Sequence, residues 1–259
     1  MQKKQNEWAE QWTRYKDDNE FLFREWIHPW TLESFEGKRV LDAGCGHGRH
    51  TCMVAPHAKE VVGVDLNCAD IARGEVEPFT NASIVEGDIA RVSFDELFDV
   101  VFCVGVIHHT DDPTKTFRHL QTLVKPGGRL IVWAYSFEGN FLNRTLVESV
   151  KRWGLLKLPA GILHGLAWLL TLLIYPIVFT VYLLPLRAVL PYYDYFGNFR
   201  MLGLKKNVQN VFDKLIAPQT WFLKQEEVAA WFKEGPFEDI HVSNYKGVSW
   251  RASGTKTVE

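Results

Sequence analysis

The stretch Val40-Leu41-Asp42-Ala43-Gly44-Cys45-Gly46-His47-Gly48 decides how this chain folds. A short apolar run leads into an acid and then into three glycines at alternate positions. Glycine reaches backbone conformations that other residues avoid and lets a ligand come close to the main chain. A strand that turns through such a loop into a helix is a place where a ligand meets the backbone, with N–H groups expected to be available as donors. Asp65 follows Gly46 by 19 residues and closes the next apolar run, Val61-Val62-Gly63-Val64-Asp65. In nucleotide-binding sheets an acid at that place accepts hydrogen bonds from ribose hydroxyls. The fingerprint G-x-G-x-x-G is not met, because its last glycine falls at Arg49. The turn is therefore expected to hold a ligand without a pyrophosphate.

The same rhythm continues on either side. Residues 49–56 and 69–77 read as helices, and Ala82 to Val85 as a short strand before Glu86-Gly87-Asp88. Phe98 to Val104 is almost wholly apolar, as in the interior of a parallel sheet. A helix over Pro113 to Val124 is stopped by Lys125-Pro126-Gly127-Gly128, and Arg129 to Tyr135 reads as a fifth strand. Strands alternating with helices imply a parallel, doubly wound α/β sheet. Beyond Tyr135 the alternation stops. It resumes with a helix over Gln225 to Lys233 and strands over Ile240 to Tyr245 and Val248 to Ala252. At the other end, residues 5–30 read as helical until His28-Pro29, with Trp8, Trp12 and Tyr15 on one face. Those three rings are expected to pack on the core, or to fold over the site as a lid.

The chain has 259 residues, a net charge of −2, 47% apolar and 23% charged residues. This balance excludes a wholly disordered or wholly membrane-embedded chain. It also argues against a dedicated nucleic-acid binder, which shows a basic excess. Cys45, Cys52, Cys68 and Cys103 form no C-x-x-C pair and no zinc-ligand spacing. Reduced, mostly buried thiols in the cytoplasm are expected, and no metal site. The first twenty residues carry no apolar stretch of the kind a secretory signal needs.

Five motifs in order resemble those of class I S-adenosylmethionine-dependent methyltransferases, nearest the small-molecule and quinone methyltransferases. They are the glycine turn, Val62-Gly63-Val64-Asp65, Glu86-Gly87-Asp88-Ile89, Phe98-Asp99-Val100-Val101-Phe102 with Val106-Ile107-His108-His109, and Leu123-Val124-Lys125-Pro126-Gly127-Gly128-Arg129-Leu130. The resemblance implies a Rossmann-like, seven-stranded, mostly parallel sheet with helices on both faces, and S-adenosylmethionine as cofactor. By the same resemblance, Gly44, Cys45, Gly46 and Gly48 would line the methionine half, and Asp42 would orient its ammonium. Asp65 would hold the ribose, Leu66 would pack on the adenine, and Asp88 and Ile89 would meet its edge. Cys103 and Val104 would run toward the sulfonium. His109, and after it His108, are the candidate catalytic bases. The alternative for these histidines is to shape the loop, bonded to Asp111 or Asp112.

Between Lys157 and Arg187 lie 29 residues with no Asp, Glu, Lys or Arg. As one helix they would extend about 43 Å, more than the roughly 30 Å of a bilayer core. The last two strands should rejoin the same sheet, which makes a single crossing awkward. Pro176 divides the run and is expected to give a hairpin or a kink. Three readings stand: a monotopic anchor, an apolar lid over a lipid-like substrate, or a homodimer interface. Lys151, Arg152, Lys157 and Arg187, with the tyrosines at 192, 193 and 195, suit a cytoplasmic membrane surface.

The expected organisation is an N-terminal helical lid (1–36), the cofactor sheet (37–139), an apolar helical insertion after strand five (140–207), and a C-terminal helix with the last two strands (208–259). The expected activity is methyl transfer to an apolar or lipid-linked small molecule of quinone or polyprenyl type. The alternatives are a soluble-metabolite methyltransferase that dimerises through the insertion, and a catalytically silent cofactor-binding subunit.

Overall fold

The computed structural model describes Trp8 and residues 19–258. Trp12, Tyr15 and the other residues of the expected N-terminal lid before 19, Trp8 excepted, lie outside the described residues.

Each apolar run becomes a strand: β1 Arg39–Ala43, β2 Glu60–Asp65, β3 Ala82–Glu86, β4 Phe98–Val104, β5 Val124–Tyr135, β6 Phe237–Tyr245 and β7 Ser249–Lys256. They form one seven-stranded sheet in the order β3-β2-β1-β4-β5-β7-β6. β1 to β5 run parallel, and β7 pairs antiparallel with both β5 and β6. The helices between them are α1 Glu20–Ile27, α2 Arg49–Val54, α3 Ala69–Val76 and α4 Pro113–Thr122. After β5 come α5 Glu148–Trp153, α6 Ala160–Val178, α7 Tyr193–Met201 and α8 Leu204–Ile216, then α9 Gln225–Lys233 before β6.

Both faces of the strands must be apolar because both are covered. Successive residues of β1 point to opposite sides. Val40 packs with Phe23 and Ile27 of α1 and Val54 of α2. Leu41 joins the cluster holding Phe117 of α4 and Val228, Trp231 and Phe232 of α9.

Two local expectations are corrected. β5 begins at Val124 rather than Arg129. Phe98 pairs with Val124 and Val100 with Arg129, so Lys125 to Gly128 bulge opposite the single residue Asp99. Gly127 takes the bulge through φ +74°, and the Lys125 ammonium holds Asp99 at 2.8 Å. Second, Pro176 makes no hairpin. It lies in the last turn of α6, which runs on to Val178.

The insertion leaves and returns at one point. Ser136, just past β5, forms an isolated parallel bridge with Leu223. Phe137 donates to the Leu223 carbonyl at 2.8 Å, and Leu223 donates to Tyr135 at 3.0 Å. Asn140, buried beside them, donates its Nδ2 to the carbonyls of Ser136 at 2.8 Å and Val248 at 2.7 Å. Between these roots the insertion has its own small core. Leu163 and Ala167 of α6 pack on Val208, Phe212, Leu215 and Ile216 of α8. This apolar face of α8 carries the helix through the boundary expected at 207, so the insertion extends to Ile216.

Two alanine substitutions distinguish its root from its exterior. A Cβ at Gly139 would lie 1.4 Å from the Gly247 carbonyl oxygen, whereas one at Gly165 in α6 meets nothing within 4 Å. Gly139→Ala is expected to cost on the order of 2 kcal/mol or more. Gly165→Ala should gain up to about 1 kcal/mol by helix propensity. Thermal unfolding of the two variants checks the opposite signs.

Candidate functional site

The C-terminal ends of the parallel strands open into one cavity. Gly44, Cys45 and Gly46 come from the turn after β1, Asp65 and Leu66 from the end of β2, and Asp88 and Ile89 from the loop after β3. Val104, Gly105 and Val106 follow β4. Counted out to its mouth, the open space is about 1620 Å³. That figure includes solvent at the mouth, and the space runs continuously from the floor to the side chains above it.

Asp65 ties this floor together. Its Oδ2 accepts from the Gly46 backbone at 2.9 Å, and its Oδ1 from Asn67 and Cys68 at 2.8 Å each. Burial pushes its carboxyl up, opposed by those three N–H donors. Asp88 caps the next loop through Ala90 at 2.9 Å and faces the same cavity.

The turn amides are not the donors that the sequence leads one to expect. Gly44 and Cys45 both donate to the Val64 carbonyl at 2.8 and 3.0 Å, Gly46 donates to Asp65, and Gly48 donates to Cys45 at 2.9 Å. With its amides spent on its own shape, the turn offers a close approach and carbonyl acceptors. That suits the ammonium end of a methionine better than an anion. The acids Asp65 and Asp88 supply acceptors for ribose hydroxyls and an exocyclic amine. The donor set therefore fits S-adenosylmethionine.

Three expected cofactor residues stand behind the floor rather than on it. Asp42 is buried, accepts from the Thr51 hydroxyl at 2.8 Å, and has its pKa pushed up to about 7 by burial. Gly48 starts α2 at φ +88°, where a Cβ would press on Ala72 at 3.3 Å. Cys103 points into the core with Leu41, Val101 and Ile107. Each shapes the floor from beneath. Among the described residues the four thiols are free.

The two histidines separate. His108 is buried and does not reach the cavity. Its ring lies 4.3 Å from Tyr135 and 4.3 Å from His109, and burial pushes its pKa well below the usual histidine value. It is a packing residue. His109 lines the cavity, with the Trp8 ring 4.9 Å away. Its Nδ1 lies 2.7 Å from the Gln219 carbonyl, rather than bonding to Asp111 or Asp112. A carbonyl only accepts, so Nδ1 carries the hydrogen and Nε2 the lone pair. Burial lowers its pKa, against Asp213 and Gln219, so the ring is neutral near pH 7.

The roof is what sequence reasoning missed. Tyr195, Asn198, Phe199 and Leu202 come from α7 and its end. Lys206, Gln209, Asn210, Asp213 and Lys214 come from α8. The charge-free run 158–186 contributes nothing to the lining, because the buried stripe of α6 faces α8 and not the sheet. Arg49, Trp26, Trp133 and Tyr135 complete the walls.

Residues 41–132 match the protein family described as "Methyltransferase domain". Ubiquinone biosynthesis O-methyltransferases of Coxiella burnetii and Pseudomonas entomophila are 34% identical over 101 residues and 32% identical over 102 residues, respectively. Each alignment covers 38% of this chain and 43% or 44% of the relative, so the chain spans less than half the length of the curated relatives it matches. Among solved structures, the fold is similar to N-methyltransferase NodS from Bradyrhizobium japonicum WM9 in complex with S-adenosyl-l-homocysteine. That likeness has a TM-score of 0.54 at 14% identity and covers 97% of this chain and 99% of that one. It is also similar to magnesium protoporphyrin IX methyltransferase from Synechocystis PCC 6803, at TM-score 0.52 and 15% identity, over 96% and 94% of the two chains. At such identities the structural likeness speaks for the fold alone. Residues 41–132 form a methyltransferase domain, on a fold of the class I kind that the motifs implied, and S-adenosylmethionine is the cofactor that the motifs and the acceptors of the floor fit.

The raised pKa of Asp42 fixes the sign of a pH effect. The folded protein holds the proton up to about pH 7, whereas the ordinary carboxyl value is 3.8. Stability from this group is therefore present below the unfolded value and is lost as pH rises toward 7. Asp42→Asn keeps an acceptor for Thr51 and removes the titration. Its Tm relative to the parent is expected to rise between pH 4.5 and 7.5 in parallel melts; a flat or falling difference contradicts the burial argument.

Proposed function

We propose that this chain transfers a methyl group from S-adenosylmethionine to a small apolar or lipid-linked acceptor of quinone or polyprenyl type, held beneath α7 and α8. The observation that carries this reading is the composite cavity. Its floor belongs to the methyltransferase domain and its roof to the insertion, so both reactants share one space. The likeness to ubiquinone biosynthesis O-methyltransferases supports a quinone-type acceptor.

When bound, S-adenosylmethionine supplies a methyl already activated on its sulfonium. The chain's part is to align, to exclude water and to take a proton. Asp65 holds the ribose hydroxyls, Asp88 the adenine amine, and the turn carbonyls the ammonium. Arg49, beside the turn, brings a positive charge to the methionine carboxylate. Trp26, Trp133 and Tyr135 keep the walls dry. The Nε2 lone pair of His109 accepts the proton that an acceptor hydroxyl gives up as it attacks.

We propose further that the insertion rests on the cytoplasmic face of a membrane as a surface-lying element. α6 has the length and composition of a span, with 22% of its apolar window buried inside the protein. Leu169, Leu173 and Ile177 are exposed on it, as are Phe179 and Leu183 beyond it. Among the described residues, all but two of the exposed large hydrophobic residues belong to the insertion; the exceptions are Trp221 and Val258. The exposed Arg152, Lys157 and Arg187 flank the apolar surface and suit anionic headgroups. That both roots meet at Ser136 and Leu223 supports α6 lying along the lipid rather than crossing it.

The test is transfer of labelled methyl into acceptors presented in phospholipid vesicles, compared with a water-soluble extract. The label is expected in the lipid fraction, with the protein co-sedimenting with the vesicles. Label confined to soluble metabolites, with protein left in the supernatant, overturns the lipid reading. In the same assay His109→Ala should lower turnover by about a hundredfold or more, with affinity for S-adenosylhomocysteine retained. Unchanged turnover would exclude the base role.

A further inference from the structure

Lys214 stands in the roof in a way that packing does not explain. It belongs to the last turn of α8, where a lysine ordinarily reaches water. Here its ammonium lines the cavity instead. Its Nζ donates to the Tyr195 hydroxyl and to the Asn210 carbonyl, both at 3.3 Å, toward the long end for such bonds. The ring centres of Tyr195 and Tyr135 lie 5.3 and 5.6 Å from Nζ. Among the described residues no carboxylate oxygen lies within ion-pair distance of it. Asp213, its neighbour in sequence, turns its Oδ2 to the Tyr135 hydroxyl at 3.3 Å.

The charge is kept nonetheless. Burial works against the ammonium, but Tyr135, Tyr195 and Asp213 outweigh it and the pKa is raised. Lys206 on the same helix also lines the cavity, so the described roof carries two amines against one carboxylate. Burial brings Lys206 down to about 7, against Asp213. Tyr135 also reaches the floor, its ring centre 6.2 Å from that of His109. A cation held by π faces and two long hydrogen bonds, in a wall with two tyrosines, is complemented best by an anion on a flat ring.

We infer that Lys214 is the anion-recognition group of the acceptor subsite, and that the acceptor is an aromatic compound presenting an ionised oxygen, hydroxyl or carboxylate, to its ammonium. The inference rests on the proposed methyl-transfer reading for the identity of the ligand as acceptor, while the binding chemistry stands on the roof itself. Lys214 selects and orients the ring, and His109 remains the group that takes a proton. For a phenolic acceptor, the ammonium also favours the oxyanion that attacks.

The test uses the full chain saturated with S-adenosylhomocysteine and two pairs of probes. 4-Nitrophenol against 4-nitroanisole reports an ionised hydroxyl, and benzoate against methyl benzoate reports a carboxylate. Tryptophan fluorescence reads binding, and the nitrophenolate absorption band reads ionisation in the bound state. In at least one pair the anion is expected to bind about tenfold or more tightly than its neutral partner. Where 4-nitrophenol is the ligand, its phenolate band should strengthen on binding. Lys214→Met should bring each pair to within about twofold of each other, and Lys214→Arg should retain the preference. S-adenosylhomocysteine affinity by calorimetry reports that the floor is intact. Equal binding of anion and neutral partner in both pairs overturns the inference, as does a Lys214→Met protein that keeps the preference. Should that variant fail to fold, the parent protein's two probe pairs decide alone. Loss of cofactor binding or of label transfer counts against the methyltransferase reading instead, so the two failures are told apart.

Discussion

The chain between Tyr135 and Leu223 must leave the sheet and return to it at one place, and the rest of the architecture follows from that constraint. The Ser136–Leu223 bridge and the hydrogen bonds of Asn140 to Ser136 and Val248 close the loop at its base. Trp250 adds an indole N–H to the Leu223 carbonyl at 2.9 Å. Everything between is hung over the C-terminal ends of the parallel strands, where open α/β sheets place their ligands. α8 can then turn its apolar face to α6 and its polar face to the cavity. A segment that looks by composition like a membrane span becomes the outer layer of a roof.

The floor and roof divide the chemistry between them. The floor is rigid and acidic, with Asp65 and the Val64 carbonyl absorbing the amides of the glycine turn. This spends the backbone on shape and leaves carboxylates and carbonyls to receive a cationic, hydroxyl-rich cofactor. The roof is aromatic and, among the described residues, basic. His109 and Tyr135 lie where the two meet, and Gln219, on the segment that returns from the insertion to the sheet, sets the tautomer of His109. Anchoring the return strand and orienting the candidate base are thus done by one short stretch of chain.

How much of this was legible in the sequence follows from what each residue must satisfy. β1 to β4 and the turn after β1 were legible because a strand covered on both faces has to be continuously apolar, and because three alternating glycines have one main use. Asp65 was legible by its distance from that turn, and Asp88 through the resemblance of Glu86-Gly87-Asp88-Ile89 to a family motif. The placement of Asp42, Gly48 and Cys103 behind the floor was not, because period-two alternation sets their direction only once the strand ends are fixed. The roof was illegible for a different reason. Lys206, Gln209, Asn210, Asp213 and Lys214 read as the solvated face of an amphipathic helix, and only the fold turns that face inward. The apolar run drew attention by composition, yet it serves the site only by holding α8 in place.

The most direct measurement is a crystal structure of the full chain with S-adenosylhomocysteine. The account predicts the adenosine between Asp65 and the Asp88–Ile89 loop, the amino-acid end along Gly44 to Gly46, and the sulfur facing His109 and the underside of α7 and α8. A cofactor product bound elsewhere, or one whose sulfur faces away from that roof, would contradict the claim that the insertion holds the acceptor.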